Sequence, residues 1–296
     1  MPGILYIVAT PIGNLADMTP RAVEVLAAAD MIAAEDTRHS RALLTHFGIR
    51  TPSFSCHKFN EGKRGDFFVS ALLEGKNVAL ISDAGTPSIS DPGHKLVSMA
   101  AGAGVEVVAV CGANAIAAAL SVSGFDASRF MFLGFLPRAA KEQAKIWDML
   151  PDGGIGALQG FSAPVVFYES PLRIRKTLGW LAETHPMAVI CLCNDLTKKF
   201  ERIYRGTPSD ILEELMQNPS AKKGEYTCVA LLPVKEMPKD AASELSLEAQ
   251  LIDTIVKNGC TLKDAASLLH DVQKQHRKPD KKAIYAASLR LKEILK

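Results

Sequence analysis

Along the first hundred or so residues, apolar runs rich in β-branched side chains alternate with stretches of helical period. Ile4 to Ala9, Met31 to Ala34, Asn77 to Ile81 and Val105 to Val110 read as strands. Pro20 to Ala29, Ser40 to Phe47, Gly62 to Leu73 and Pro92 to Ala103 read as helices. The alternation predicts a parallel α/β sheet covered on both faces, and Val78-Ala-Leu-Ile81, without polar alternation, fits a strand buried on both sides.

A small-residue stretch, Gly112 to Gly124, interrupts the pattern, which resumes with Phe130 to Phe135, a helix from Pro137 to Leu150, and Val165 to Tyr168. A helix from Leu172 to Glu183 follows, then Ala188 to Cys193, Arg202 to Tyr204, a helix near Pro208 to Met216, and Tyr226 to Leu232. With less helix between its strands, this half predicts a second α/β domain with a mixed sheet. The polar connector Pro233 to Glu244 reads as a linker. Three helical patterns close the chain, Ser246 to Lys257, Thr261 to His270 and Lys281 to Leu295, with Ser246 and Thr261 as N-caps and Gly259 as a stop. The expected organisation is an N-terminal α/β domain over 1–120, a second over 121–235 and a helical, RNA-binding module over 245–296.

Charge changes this picture only locally. The 296-residue chain carries a formal +2, but Val272 to Lys296 holds eight Lys and Arg against Asp280 and Glu293, so the body is slightly acidic and the tail basic. Six cysteines, with no paired CxxC spacing and mostly within apolar runs, read as reduced core thiols of a cytoplasmic protein. No stretch reaches the ~18 consecutive apolar residues of a membrane span.

Three loops follow strands, where open α/β sheets bind ligands. Ala9-Thr-Pro-Ile-Gly-Asn-Leu15 is neither a GxGxxG nor a Walker loop, which disfavours an ATP or dinucleotide cradle. Ser82-Asp-Ala-Gly-Thr-Pro-Ser-Ile-Ser-Asp-Pro-Gly93 is almost entirely small or hydrogen-bonding, with Ile89 the one apolar side chain able to lie on a flat ring. Asp91, before Pro92, is expected to cap the following helix. Cys111-Gly-Ala-Asn-Ala115 offers close backbone approach at Gly112 and a donor and acceptor at Asn114. Together they predict a pocket for a neutral or zwitterionic cofactor.

Ala34-Glu-Asp-Thr-Arg-His-Ser-Arg41 reads two ways. Asp36 or Thr37 caps a helix; alternatively Arg38 and Arg41 grip phosphate while Glu35, Asp36 or His39 meets a hydroxyl. Thr197 to Arg205 interleaves Lys198, Lys199, Arg202 and Arg205 with Phe200 and Tyr204, a composition suited to RNA or to an ordinary strand with its rings in the core. Lys274, Arg277, Lys278, Lys281 and Lys282 would form a compact positive face in the tail.

The three loops, with Glu35-Asp-Thr-Arg38, Phe167-Tyr-Glu-Ser-Pro171, Leu196-Thr-Lys-Lys199 and Lys223-Gly-Glu225 in this order, resemble the tetrapyrrole methylase superfamily and, within it, the group acting on small-subunit ribosomal RNA. The likeness runs from Leu5 to Leu232 and reaches into the tail at Lys263-Asp-Ala-Ala266. Cys111 stands where that group usually has Pro, and Asn194-Asp195 replaces its usual Arg-Glu. The resemblance implies two α/β domains, a homodimer, and S-adenosylmethionine-dependent methylation of a cytidine ribose 2′-hydroxyl in the decoding region of small-subunit rRNA. It places cofactor contacts at Pro11, Ala84, Gly85, Thr86, Ile89, Asn114, Ala115 and Glu169.

On composition and position, Glu35, Asp36, Arg38 and His39 are the catalytic candidates, and Arg41, Lys198, Lys199, Arg202, Lys278, Lys281 and Lys282 the RNA-binding ones. Methyl transfer from a sulfonium needs no metal. A methylase of small tetrapyrroles would not need the basic tail, and a non-catalytic RNA-binding factor would not bind the cofactor.

Overall fold

The computed structural model describes residues 1–149, 163–232, 246–272 and 281–294. It divides into two compact units, Met1–Val234 and Lys235–Lys296. The connector from Pro233 and the residues Lys274, Arg277 and Lys278 lie outside the described residues.

In the first unit, β1 (Ile4–Val8), α1 (Pro20–Ala28), β2 (Met31–Ala34), α2 (Thr37–His46), β3 (Ser53–Ser55), α3 (Glu61–Leu73), β4 (Val78–Ile81), α4 (His94–Gly102) and β5 (Glu106–Val110) build a parallel sheet of order β3-β2-β4-β1-β5. The two-residue side-chain period sorts β4 between opposite cores. Val78 and Leu80 join Phe68, Leu72 and Leu96 of α3 and α4, while Ala79 and Ile81 join Leu26 and Leu44 of α1 and α2. The edge strand β3 is absent from the pattern reading because Ser-Phe-Ser is too short and polar to carry a strand signal.

The small-residue stretch proves to be a helix, α5 (Ala115–Ser123), with Asn114 as its cap and Gly124 in the left-handed region at its end. Its Ile116, Ala119 and Leu120 pack on Val166, Cys191, Cys193 and Val229 of the second sheet. That sheet has the order β6-β7-β10-β8-β9, from β6 (Met131–Phe135), β7 (Val165–Glu169), β8 (Val189–Asn194), β9 (Arg202–Gly206) and β10 (Tyr226–Leu231). Only β6 and β7 pair in parallel, so the sheet is mixed. Its other face is covered by α6 (Ala140–Met149), α7 (Ile174–Thr184) and α8 (Pro208–Gln217), with Trp147, Leu178 and Leu215 in the core.

The expected alternation holds for Cys191 and Cys193, both buried on one strand face with sulfurs 4.0 Å apart. Cys111 departs from the reading of core thiols: it is exposed in the loop after β5, where no second layer covers it.

In the second unit, α9 (Leu247–Asn258), α10 (Leu262–Val272) and α11 (Lys281–Ile294) enclose their own small core of Leu251, Ala265, Ile284, Ala287 and Leu291. The Ser246 side chain accepts from the Ala249 N–H, Gly259 ends α9 at φ 58°, and Thr261 accepts from the Asp264 N–H, matching the caps read from the sequence. Among the described residues no helix is long and apolar enough to cross a membrane.

Candidate active site

The three small-residue loops are tied together by their backbones. Thr10 and Gly85 exchange two N–H to carbonyl bonds of 2.9 and 3.0 Å, and Thr86 donates through its hydroxyl to the Ala113 carbonyl at 3.3 Å. Gly85 sits at φ 77°, and a Cβ there would stand 3.3 Å from Ile12 Cγ2. A side chain at 85 is therefore strained by the backbone conformation and crowded by the first loop. Ser88 and Ser90 also occupy the left-handed region, at φ 70° and 65°, a strain that persists only where the surroundings over-determine it.

These loops form one wall of a cavity of about 300 Å³. Ile12, Ala84, Gly85, Thr86, Ile89, Ser90, Asp91, Asn114 and Ala115 line that side; Phe135, Tyr168, Glu169, Leu196 and Glu225 belong to the second sheet and its loops. The walls approach closely at a glycine. Gly134, at φ 65° in the bulge of β6, would bring a Cβ within 3.3 Å of Ser90 Oγ.

The carboxylates of the two walls differ. Glu169 is buried and saturated: it accepts from the Ser170 N–H at 2.7 Å and the Thr177 hydroxyl at 2.8 Å, and pairs with Arg173 at 2.7 Å. Asp91 is half-buried, and burial, followed by the nearby Glu35 carboxylate, pushes it up to about 6, against the pull of the Ser82 hydroxyl. Its expected role as a cap is not the one it has. Helix α4 begins later, at His94, and its free N–H groups are held by Glu61, whose Oε1 accepts from Gly93 and Lys95 at 2.9 Å and from Leu96 at 3.4 Å. Glu61 is itself buried. Because this distant carboxylate caps the helix, Asp91 is left facing the cavity. Beside it, burial and then Asp91 and Glu225 push the Tyr168 phenol up to about 12.

Residues 4–212 match the profile of the tetrapyrrole (corrin/porphyrin) methylases. The chain is 40% identical over 274 residues to the ribosomal RNA small subunit methyltransferase I of Haemophilus influenzae, covering 92% of this chain and 93% of that protein. The protein of the same name from Synechocystis is 38% identical over 293 residues, 98% of each chain. The chain belongs to the ribosomal RNA small subunit methyltransferase I family. Among solved structures, diphthine synthase is similar in fold, with TM-score 0.57, 14% identity and 78% and 90% of the two chains covered. A uroporphyrin-III-C-methyltransferase from Thermus thermophilus gives TM-score 0.51 at 16% identity, covering 77% and 94%.

In this member of the methyltransferase I family the expected cofactor positions converge, with Pro11 set beside the lining residue Ile12. Asn114 has less to offer a ligand than its side chain suggests. Its Oδ1 accepts from the Ile116 and Ala117 N–H groups and its Nδ2 donates to Thr86. The segment after β2 splits. Glu35 accepts from the Asp83 N–H at 3.4 Å and is raised by burial, with the neighbouring Asp83 and Asp36 adding to the shift. Asp36 caps α2, accepts from the Arg38 N–H at 2.8 Å and grips its guanidinium at 2.9 Å, which holds the carboxyl down at about 2. Arg38, His39 and Arg41 are exposed along the start of α2.

Lys198 bridges Asp195 at 3.0 Å and Glu225 at 2.8 Å. Partial burial pulls its ammonium down, but those two hydrogen bonds outweigh it and the net shift is upward. Lys199 lies 5.6 Å over the exposed Phe200 ring, Arg202 is exposed on β9, and Tyr204 is buried in the core. Thus the basic stretch contains one ring of each kind. In the second unit Lys282 is exposed on α11, whose first residue is Lys281.

The sequence reading missed Asp91 as a pocket group, and also Phe135 and Tyr168, whose rings pack 5.3 Å apart on the far wall. Tyr168 stood within the quoted Phe167-Tyr-Glu-Ser-Pro171 motif; for Phe135 no local signal existed. Among the described residues no cluster of three or more His, Cys, Asp or Glu is arranged to hold a metal ion.

Proposed function

We propose that this protein uses S-adenosylmethionine to methylate a ribose 2′-hydroxyl of a cytidine in the decoding region of small-subunit ribosomal RNA. The observation that carries the reading is the near full-length similarity to proteins named for small-subunit rRNA methylation, in a chain whose pocket offers backbone polar groups and a basic carboxylate. The residues fit the cofactor: Gly85 keeps open a cradle that a Cβ would narrow, Thr86 and Ala115 present backbone, and Ile12, Ile89 and Leu196 supply apolar surface for a flat ring. Bound S-adenosylmethionine supplies a methyl group already activated on a sulfonium, which leaves the protein to align the ribose oxygen and remove its proton.

Asp91 is the proposed proton acceptor. A carboxylate raised to about 6 is a stronger base than an exposed one yet is still ionised at neutral pH. Glu35 acts through it as a positioning residue, since its charge helps keep Asp91 basic. Arg38, held in place by Asp36, stands with His39 and Arg41 on the exposed start of α2, where they meet phosphate. Within the first unit Lys199 and Arg202 are exposed and are further RNA contacts in this reading, with Lys198 bridging Asp195 and Glu225 beside them; Lys281 and Lys282 of the second unit are separate candidates. The homodimer and the cytoplasmic setting belong to the same reading, and a monomeric mass by light scattering would remove the first.

The deciding measurement is mass mapping of small-subunit rRNA from cells lacking the protein. One ribose methyl group should disappear; an unchanged pattern overturns the reading.

A further inference from the structure

The most exposed aromatic ring of the described residues lies outside the pocket. Phe59 is 94% exposed at the tip of the turn between β3 and α3. Leaving a phenyl in water forgoes the stabilisation of burial, and nothing loose about this turn accounts for it. The His57 N–H donates to Asn60 Oδ1 at 2.8 Å, the Phe59 N–H to His57 Nδ1 at 3.3 Å, and the Asn60 and Glu61 N–H groups both to the His57 carbonyl at 2.9 Å. These bonds order the backbone from which the ring projects, and the His57 ring stands edge-on 6.2 Å from it.

Its surroundings are cationic. Lys58, Lys63 and Arg64 are exposed, and the only acid between Cys56 and Gly65 is Glu61, which is buried under the start of α4. Arg64 lies 5.9 Å over the Phe67 ring. Asp66, further along α3, is the nearest exposed acid in sequence.

The turn also opens on the correct side of the sheet. Ser55, Ala34 and Ile81 are register partners across β3, β2 and β4. The loops leaving them therefore emerge side by side at one end: the Phe59 turn, the Arg38 segment, and the loop that carries Asp91 into the cavity.

We infer that the β3–α3 turn is a second RNA contact, in which Phe59 stacks on an unpaired base of the substrate strand while Lys58, Lys63 and Arg64 hold the flanking phosphates. This inference rests on the rRNA reading above. Charge decides the class of partner, since a ring flanked by three exposed cations, with Asp66 the nearest exposed acid in sequence, suits a polyanion with stackable bases. Preorganisation of the turn keeps the ordering cost of stacking low.

The test is fluorescence anisotropy of the full-length protein with a labelled single-stranded RNA oligonucleotide across a salt series. Phe59→Ala should weaken binding on the order of tenfold, and Phe59→Trp should restore it. The triple variant Lys58→Ala, Lys63→Ala, Arg64→Ala should flatten the log–log salt slope by about 2. Calorimetric affinity for S-adenosylmethionine should stay unchanged throughout. Wild-type RNA binding that neither variant alters overturns the inference and leaves the proposed function standing. RNA affinity that falls only together with cofactor affinity overturns it too, as does lost methylation of assembled subunits with RNA binding intact, which would make Phe59 a protein contact. A wild-type protein that binds no RNA and methylates no small subunit overturns both.

Discussion

The two walls of the cavity hold carboxylates in opposite conditions. On the second-sheet side Glu169 is fully paired, and Lys198 is likewise locked between Asp195 and Glu225. On the first-sheet side Asp91 lies among like charges, next to backbone in the left-handed region, with its local capping role taken elsewhere. Satisfied groups hold a shape, whereas under-satisfied ones retain chemistry. In the function proposed above, the second sheet thus supplies the frame and the first sheet the reactivity.

The largest effect should come from Asp91→Asn. If the first wall is the reactive one, methyl transfer falls about a hundredfold to ten-thousandfold in single-turnover assays while calorimetric cofactor affinity stays within a few-fold. A normal rate would erase the contrast. Glu169→Ala should do the reverse. Removing the buried partner leaves Arg173 with only the Leu136 and Pro137 carbonyls and the Thr177 hydroxyl without its acceptor, which costs about 3 kcal/mol of stability, seen in chemical denaturation, while the folded fraction loses far less of its methyl-transfer rate than Asp91→Asn does.

A smaller effect concerns pH. A base must be ionised to act, so the rate should rise through about pH 6 and level off above it. Glu35→Gln removes a repelling charge and should move that inflection to lower pH; an unmoved profile would dissociate Glu35 from Asp91. The stability linkage has the opposite sign. Asp91 is raised in the folded state, so its contribution opposes folding progressively as pH rises from the unfolded value to about 6 and fully above that. Asp91→Asn should therefore raise Tm modestly at pH 8, and the gain should vanish as pH falls through 6 towards the unfolded value near 4.

Much of this was legible without coordinates because it is written locally. The strands of the first sheet are uninterrupted apolar runs, and the Ser82 to Gly93 composition already marks a loop that presents backbone. The caps at Ser246 and Thr261, and Asp36 as one of its two readings, obey the short-range grammar of helix starts, whereas the cap at Asn114 went unread inside a run of small residues. What escaped was set by distance along the chain. The Asp91-Pro92 pair spells a helix start, and only the fold reveals that Glu61 has taken that role. Phe135 and Tyr168 come to the cavity from another sheet, and β3 exists because its neighbour pairs with it.

Glu61 has a consequence of its own for how this enzyme can fail. It is not among the residues that line the cavity, yet its loss would free the first N–H groups of α4, two residues along the chain from Asp91, and leave the loop that carries Asp91 without its anchor at Gly93. In the function proposed above, such a lesion would disturb the base while leaving every residue of the pocket in the sequence. Variants at position 61 should be judged with those at 91, since the two share one division of labour.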